Sequence, residues 1–198
     1  MSCYQLTISE GTTFGRWKAR GKLVEMSEPE QATLFELTHE RLGAAGWSAY
    51  EVSNFARGPR HRSEHNQKYW EQQPYLGLGP SAHSFDGTSR WWNIPALPGY
   101  VEAIDRGVRP VADRETLTRS ELALEAVMLR LRTRNGLSTQ WFMSSFGIDI
   151  VGLNGAYLGA AVEEGLIEPD ALARERTIRP TVRGFAVADG IAAGLRLE

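Results

Sequence analysis

Apolar and polar residues alternate along Cys3-Tyr-Gln-Leu-Thr-Ile-Ser9, and the period of two predicts a strand with one buried face. Such a strand is expected to need a distant or missing neighbour, because no partner lies before it. Glu10 to Lys22 reads as a glycine-containing loop anchored by Phe14 and Trp17. Ser27-Glu28-Pro29-Glu30 then joins a capping box to a proline in the first helical turn, where its missing N–H costs nothing. Leu34, Phe35, Leu37 and Leu42 give this helix an apolar face, and Gly46 is its stop. Alternation returns from Trp47 to Phe55. Two strands joined by a helix form a βαβ unit, which favours parallel pairing.

Residues 57–99 break the pattern. They carry five prolines and His61, His65 and His83, and they read as a long irregular stretch rich in aromatic side chains. Such a stretch serves either as a functional surface or as a layer of loops pinned by aromatic plugs. From Thr118 the period becomes helical. Thr118-Arg-Ser-Glu121 is a second capping box, with Leu122, Val127, Met128 and Leu131 beneath it. Ser138 caps a short helix through Phe142, and Leu153 to Glu164 forms a third helix, stopped by Gly165. Leu166-Ile-Glu168 and Thr177-Ile-Arg179 read as two short strands around a polar turn. Three helices and a small hairpin make a winged-helix-like module, and Thr181 to Leu197 reads as a closing helix. The expected division is 1–112 and 113–198.

Composition narrows the function. Of 198 residues 42% are hydrophobic and 23% charged, which excludes collagen-like and disordered chains. The single cysteine, Cys3, can form neither an internal disulfide nor a cysteine-based zinc or iron–sulfur site. No apolar run reaches the roughly 18–20 residues that span a bilayer. With no signal-peptide pattern at Met1, a cytoplasmic location is expected; contact with a membrane surface is left open. The net charge of −2 offers no long-range attraction to nucleic acid. Between Arg134 and Arg174 there is no Lys or Arg, so the third helix of the winged-helix-like module would repel a duplex. A lid or a docking surface suits it better.

The densest positive charge is Arg57-Gly-Pro-Arg-His-Arg-Ser-Glu-His65. It is either a solvated loop or an anion site in which Arg57, Arg60 and Arg62 meet carboxylates. A helix over His65-Asn-Gln-Lys-Tyr-Trp70 would set His65 beside Tyr69 and Asn66 beside Trp70. Imidazole next to flat aromatic surface suits a metalloporphyrin, and neutral imidazole is a normal axial ligand of haem iron. A hydrogen-bonded structural histidine is the competing reading. In Tyr75-Leu-Gly-Leu-Gly-Pro-Ser-Ala-His83, Gly77 and Gly79 point to tight strand-end packing or to close approach of a ligand.

Four blocks occur together in order: Tyr4-Gln-Leu-Thr-Ile8, Tyr50-Glu-Val-Ser-Asn-Phe-Ala56, His65-Asn-Gln-Lys-Tyr-Trp70 and Tyr75-Leu-Gly-Leu-Gly-Pro-Ser-Ala-His-Ser84. In sequence and spacing they resemble the HemW proteins, haem chaperones related to the oxygen-independent coproporphyrinogen III oxidases (HemN) of the radical S-adenosylmethionine superfamily. The His-Asn-x-x-Tyr-Trp block is similar to the chaperone branch, and the resemblance implies haem binding at His65, Asn66, Tyr69 and Trp70, with His65 the candidate iron ligand. The family's Cys-x-x-x-Cys-x-x-Cys motif for a [4Fe–4S] cluster and its S-adenosylmethionine-binding strand ends have no counterpart here. Ser9-Glu10-Gly11 stands where the family often has Glu-Pro-Gly, and Gly58-Pro59 where Pro-Gly is usual.

The resemblance implies an α/β (α+β) chain, a remnant of a partial radical-SAM α/β barrel followed by a helical winged-helix-like C-terminal module. Haem and apo-haem-protein acceptors are the implied partners. The alternative is a truncated oxygen-independent coproporphyrinogen III oxidase, inactive alone. Strands separated from a larger sheet also expose edges and apolar faces, so self-association through the N-terminal half is expected. One cysteine cannot hold a cubane cluster. Reconstitution of this chain with iron and sulfide should therefore yield neither a stoichiometric cluster nor 5′-deoxyadenosine, as read by absorbance and product analysis.

Overall fold

Fourteen buried residues form one hydrophobic core, and all of them lie between Ala123 and Leu195. The computed structural model describes all 198 residues, and its earlier half is laid against that core. Residues 3–9 do not form the expected strand. Ser2 makes an isolated bridge to Asn54, and the Cys3 N–H donates to the Ser53 carbonyl at 2.8 Å. Tyr4 and Leu6 remain 73% and 65% exposed, so the alternation there has no face to bury. Helix α1 (Thr13–Ala19) replaces the expected loop; Thr12 Oγ1 caps it by accepting from the Gly15 N–H at 3.0 Å. Phe14 and Trp17 are exposed and touch each other rather than anchoring a core.

Helix α2 (Glu28–Ala44) forms where its capping box predicts: the Ser27 N–H and hydroxyl donate to Glu30 Oε2 at 2.9 and 2.7 Å. Those bonds hold the Glu30 carboxyl below its ordinary pKa. Phe35 and Leu42 are half-buried on this helix, whereas Leu34 and Leu37 are exposed. The following segment is not one strand but two, β1 (Ser48–Ala49) and β2 (Phe55–Ala56), paired antiparallel. The Tyr50 N–H reaches the Asn54 carbonyl at 3.0 Å, folding the chain back on itself. The parallel βαβ pairing is therefore absent.

Residues 57–99 are more regular than their proline content predicts. A 3-10 turn (Pro59–His61) leads into helix α3 (Glu64–Trp70). Strands β3 (His83–Phe85), β4 (Ser89–Asn93) and β5 (Val111–Thr116) form an antiparallel sheet in that order. Helix α4 (Leu97–Asp105) lies between the last two. Each proline falls between elements or in a first turn, where no N–H is required of it. Gly77 packs as a strand end: a Cβ there would sit 2.1 Å from the His83 carbonyl oxygen. Asn93 Nδ2 donates to the Gly77 and Gly79 carbonyls at 3.3 and 3.0 Å.

Beyond Thr118 run α5 (Arg119–Arg130), β6 (Leu137–Ser138), α6 (Thr139–Phe146) and α7 (Ile150–Glu163). They are followed by α8 (Pro169–Ala173), β7 (Thr177–Ile178), α9 (Val182–Ala186) and α10 (Ala188–Gly194). The Thr118–Glu121 capping box closes, with Glu121 Oε2 accepting from the Thr118 N–H and hydroxyl at 2.7 and 2.8 Å. Helix α5 buries Ala123, Ala126 and Val127, with Leu131 just beyond, while Met128 faces out. The expected hairpin differs: α8 separates its arms, β7 pairs with β6, and Ile167 bridges Pro180. The result keeps winged-helix connectivity. Gly136 turns the chain into β6 at φ +70, where a Cβ would lie 2.6 Å from the Ile178 carbonyl oxygen. The closing helix is two short ones, broken at Val187, whose φ of −126 is non-helical.

Backbone pairing, an ion pair and an aromatic cluster are among the contacts that join the two halves. The Val52 N–H donates to the Arg132 carbonyl and the Arg134 N–H to the Tyr50 carbonyl, both at 3.0 Å. Arg90 on β4 grips both carboxylate oxygens of Glu125 on α5, at 3.0 and 2.9 Å. His39 packs among Phe35, Phe55 and Phe185, with ring centroids 4.3, 4.9 and 6.5 Å away. Its Nδ1 lies 3.0 Å from the Phe35 carbonyl and so carries the proton, while Nε2 is buried without a partner. Burial is the main reason that His39 titrates below its ordinary value of 6.5; the Phe35 carbonyl opposes this and Arg134 reinforces it.

Two outcomes follow. Amide exchange should be slowest in α5, α6, α7 and the β6–β7 pair, and fast over residues 3–9, which hydrogen-exchange mass spectrometry reads directly. The neutral His39 stabilises the fold above the unfolded-state value, and that stabilisation is lost as pH falls through its lower folded value. Urea midpoints should drop as pH falls below the ordinary imidazole value of 6.5, and His39→Leu should flatten that drop.

Candidate functional site

Helix α3 carries the predicted block, and its start is set locally: Ser63 Oγ accepts from the Asn66 N–H at 3.2 Å, and the Ser63 N–H donates to the Tyr50 hydroxyl at 3.2 Å. Successive residues turn about 100° apart, so the helix presents different side chains to different surroundings. His65 and Tyr69 share one face, as the spacing predicts. His65 Nε2 and the Tyr69 hydroxyl form a hydrogen bond of 2.9 Å, and their rings stand edge to face at 5.0 Å. Tyr69 meets Tyr75 at 4.6 Å, and Tyr75 meets Phe85 at 6.2 Å. This aromatic ladder runs from an exposed imidazole to a buried phenyl ring.

Asn66 is half-buried, and Trp70 turns inward. With Gln67 and Glu71, Trp70 lines a cavity of about 30 Å³ against α5, closed by Tyr50, Arg62, Arg130, Thr133 and Asn135. The Trp70 indole nitrogen and Arg130 Nε are buried there without hydrogen-bond partners. The Arg130 guanidinium stacks 3.7 Å from the Trp141 ring centroid, and burial holds its pKa below the ordinary value. Sequence reasoning missed this second face. The spacing of Gln67, Trp70 and Glu71 was its only signal, since Arg130 lies sixty residues away in sequence.

The three arginines have different surroundings. Arg57 lies over Trp47 at 4.9 Å, Arg60 is exposed on the 3-10 turn, and Arg62 lies over Tyr50 at 5.8 Å on the Trp70 side. A porphyrin macrocycle is far too large for the 30 Å³ cavity. The exposed His65–Tyr69 face is the place on α3 where such a ring could lie, and His65 Nε2 could ligate iron there once Tyr69 releases it. An iron–sulfur cluster does not fit the residues present: Cys3 is the one thiol, and no group of three or more His, Cys, Asp or Glu is placed to hold a metal ion.

The family profile of the HemN C-terminal domain matches residues 117–187. The heme chaperone HemW of Mycobacterium tuberculosis is 39% identical over 137 residues, covering 69% of this chain and 35% of that protein. HemW of Bacillus subtilis is 31% identical over 166 residues, covering 84% and 44%. The chain is thus similar to the HemW proteins over part of their length, and carries the HemN C-terminal domain. A mitochondrial radical S-adenosyl methionine domain-containing protein of Danio rerio, 28% identical, matches this HemW-like chain throughout and 46% of its own length. The chain thus spans between a third and a half of these relatives. Coproporphyrinogen III oxidase (HemN) from Escherichia coli, a radical SAM enzyme, superposes with a TM-score of 0.58 over 89% of the chain and 44% of HemN. At 17% identity that likeness establishes the mixed helix–sheet fold alone. No helix of the HemW-like chain is long and apolar enough to cross a membrane.

Proposed function

We propose that this chain is the haem-binding portion of a HemW-like haem chaperone, holding haem as cargo for delivery to apo-proteins in the cytoplasm. The observation that carries the reading is the exposed His65 imidazole at the head of the α3 aromatic ladder. It occurs in a chain whose curated relatives bear the name heme chaperone. His65 supplies a neutral nitrogen to iron, and Tyr69 supplies aromatic surface beside it. Trp70 lies on the other side of α3, towards α5, and Asn66 is half-buried beside it. Arg57 and Arg60 offer exposed guanidinium groups to propionates.

An open face suits cargo better than a resident cofactor, which is normally enclosed. The enzymatic reading, a portion of a coproporphyrinogen III oxidase, has the fold likeness behind it, whereas the relatives above 30% identity bear the chaperone's name. Titration with hemin, followed in the Soret region, tests the assignment. The wild-type chain should give a saturable shifted band, and His65→Ala should lose the shift and bind about tenfold or more weakly. Equal affinity and an unchanged spectrum in His65→Ala would remove His65 from the site.

A further inference from the structure

The chain from Tyr75 runs antiparallel beside β3 and extends the sheet past its last named strand. The Tyr75 N–H and carbonyl pair with the Phe85 carbonyl and N–H at 2.8 and 2.9 Å. The Gly77 N–H donates to Ser84 Oγ and the Gly79 N–H to the Tyr100 hydroxyl, at 3.0 and 3.1 Å. Both glycine carbonyls accept from Asn93 Nδ2. Residues 75, 77 and 79 thus spend their backbone groups on the protein. In extended chain the alternate residues turn theirs the other way. Leu76 and Leu78 fit that rule: nothing in the protein pairs with the N–H or carbonyl of either one.

The sheet therefore has two edges of opposite character. β5 carries Asp113, Arg114 and Glu115, charges of the kind that guard an edge against foreign strands. Tyr75-Leu-Gly-Leu-Gly79 carries none, and Pro74 and Pro80 bound it. Leu76 and Leu78 are 71% and 81% exposed. They line a groove of about 420 Å³ with Trp91, Tyr100, Ile104 and Val111. Arg109, also exposed, is the one charged side chain on that lining.

The exposure and the free backbone select the occupant. Walls this open would stay wet around a small molecule, which binds where most of its surface is enclosed. A lipid tail would cover the leucines and leave their N–H and carbonyl groups unmet. An extended polypeptide answers both needs, since its main chain pairs with the edge while alternate side chains enter the groove. A carboxylate on it would meet Arg109. We propose that the Leu76–Leu78 edge docks an extended segment of a partner polypeptide, with apolar residues two apart and an acidic residue beside them. Naming that partner as the haem acceptor would rest on the chaperone reading; the pairing edge itself does not.

The test uses labelled short peptides and the full chain without hemin, read by fluorescence anisotropy. The peptides alternate Leu or Val with Thr and end in Asp, Asn or Lys; controls of equal composition gather the apolar residues in one block. Alternating peptides ending in Asp should bind saturably, about tenfold or more tightly than the blocked ones. Arg109→Glu should move the preference to peptides ending in Lys. N-methylation of the tightest peptide at odd or at even residues separates main-chain pairing from apolar adhesion: one form should lose binding and the other keep it. Leu78→Asp, at an exposed position, should abolish binding and leave the fold intact by circular dichroism. Equal binding of blocked peptides or of both methylated forms would overturn the proposal, as would no binding or binding indifferent to Leu78→Asp. Self-association that Leu78→Asp abolishes would give the edge to a second copy, and vesicle binding lost in that variant would give it to lipid; either overturns the partner named here. A failed His65 assignment would leave every one of these outcomes readable.

Discussion

The position of α3 depends on a short piece of backbone pairing that joins the two halves of the chain. The Tyr50–Asn54 turn bonds to Arg132 and Arg134, immediately after α5. Tyr50 then supplies both the hydroxyl that meets the Ser63 N–H and one wall of the cavity beneath Trp70. The hydrophobic core lies wholly beyond Ala123. The N-terminal half takes its reference frame from that core through these bonds and through Arg90–Glu125 and the His39 aromatic cluster. Seven residues of helix would be marginal alone. Here they are held from one side by Gln72 Nε2, which reaches the Leu122 carbonyl at 3.1 Å, and from the other by Tyr75.

That arrangement divides the labour on α3 by face. His65 and Tyr69 are open to solvent, whereas Trp70 and Gln67 look towards α5. The same six-residue block therefore contains an exposed imidazole and a half-buried indole. Substitutions along it should not act alike: a change at position 65 touches the surface, and one at position 70 touches the junction with the C-terminal module.

Much of this was legible from sequence wherever the deciding interaction is local. Both capping boxes form, because the residues concerned are three apart and bond to each other. The His65–Tyr69 pair forms for the same reason, four residues apart on one helix. The errors arise where the deciding partner is distant or the signal is ambiguous. Alternation over residues 3–9 cannot create a strand without a neighbouring strand. Trp47–Phe55 was read as one strand because the tight turn at Tyr50–Asn54 leaves no glycine or proline mark. The prolines of 57–99 suggested irregularity, yet they punctuate β3, β4 and α4 instead of replacing them. The cavity beneath Trp70 joins side chains from three separate segments, and no spacing rule brings them together.

The bond between Tyr69 and His65 Nε2 has a kinetic side. A nitrogen that is already satisfied at rest gives up one partner when it takes another, so binding there is an exchange and not a simple gain. The hydroxyl set free is exposed and passes to water at little cost. On departure of a guest from the proposed site the hydroxyl would return to the imidazole. In the proposed site the exchange would make binding shallower, because the tyrosine bond is lost when a guest is taken and regained when it leaves.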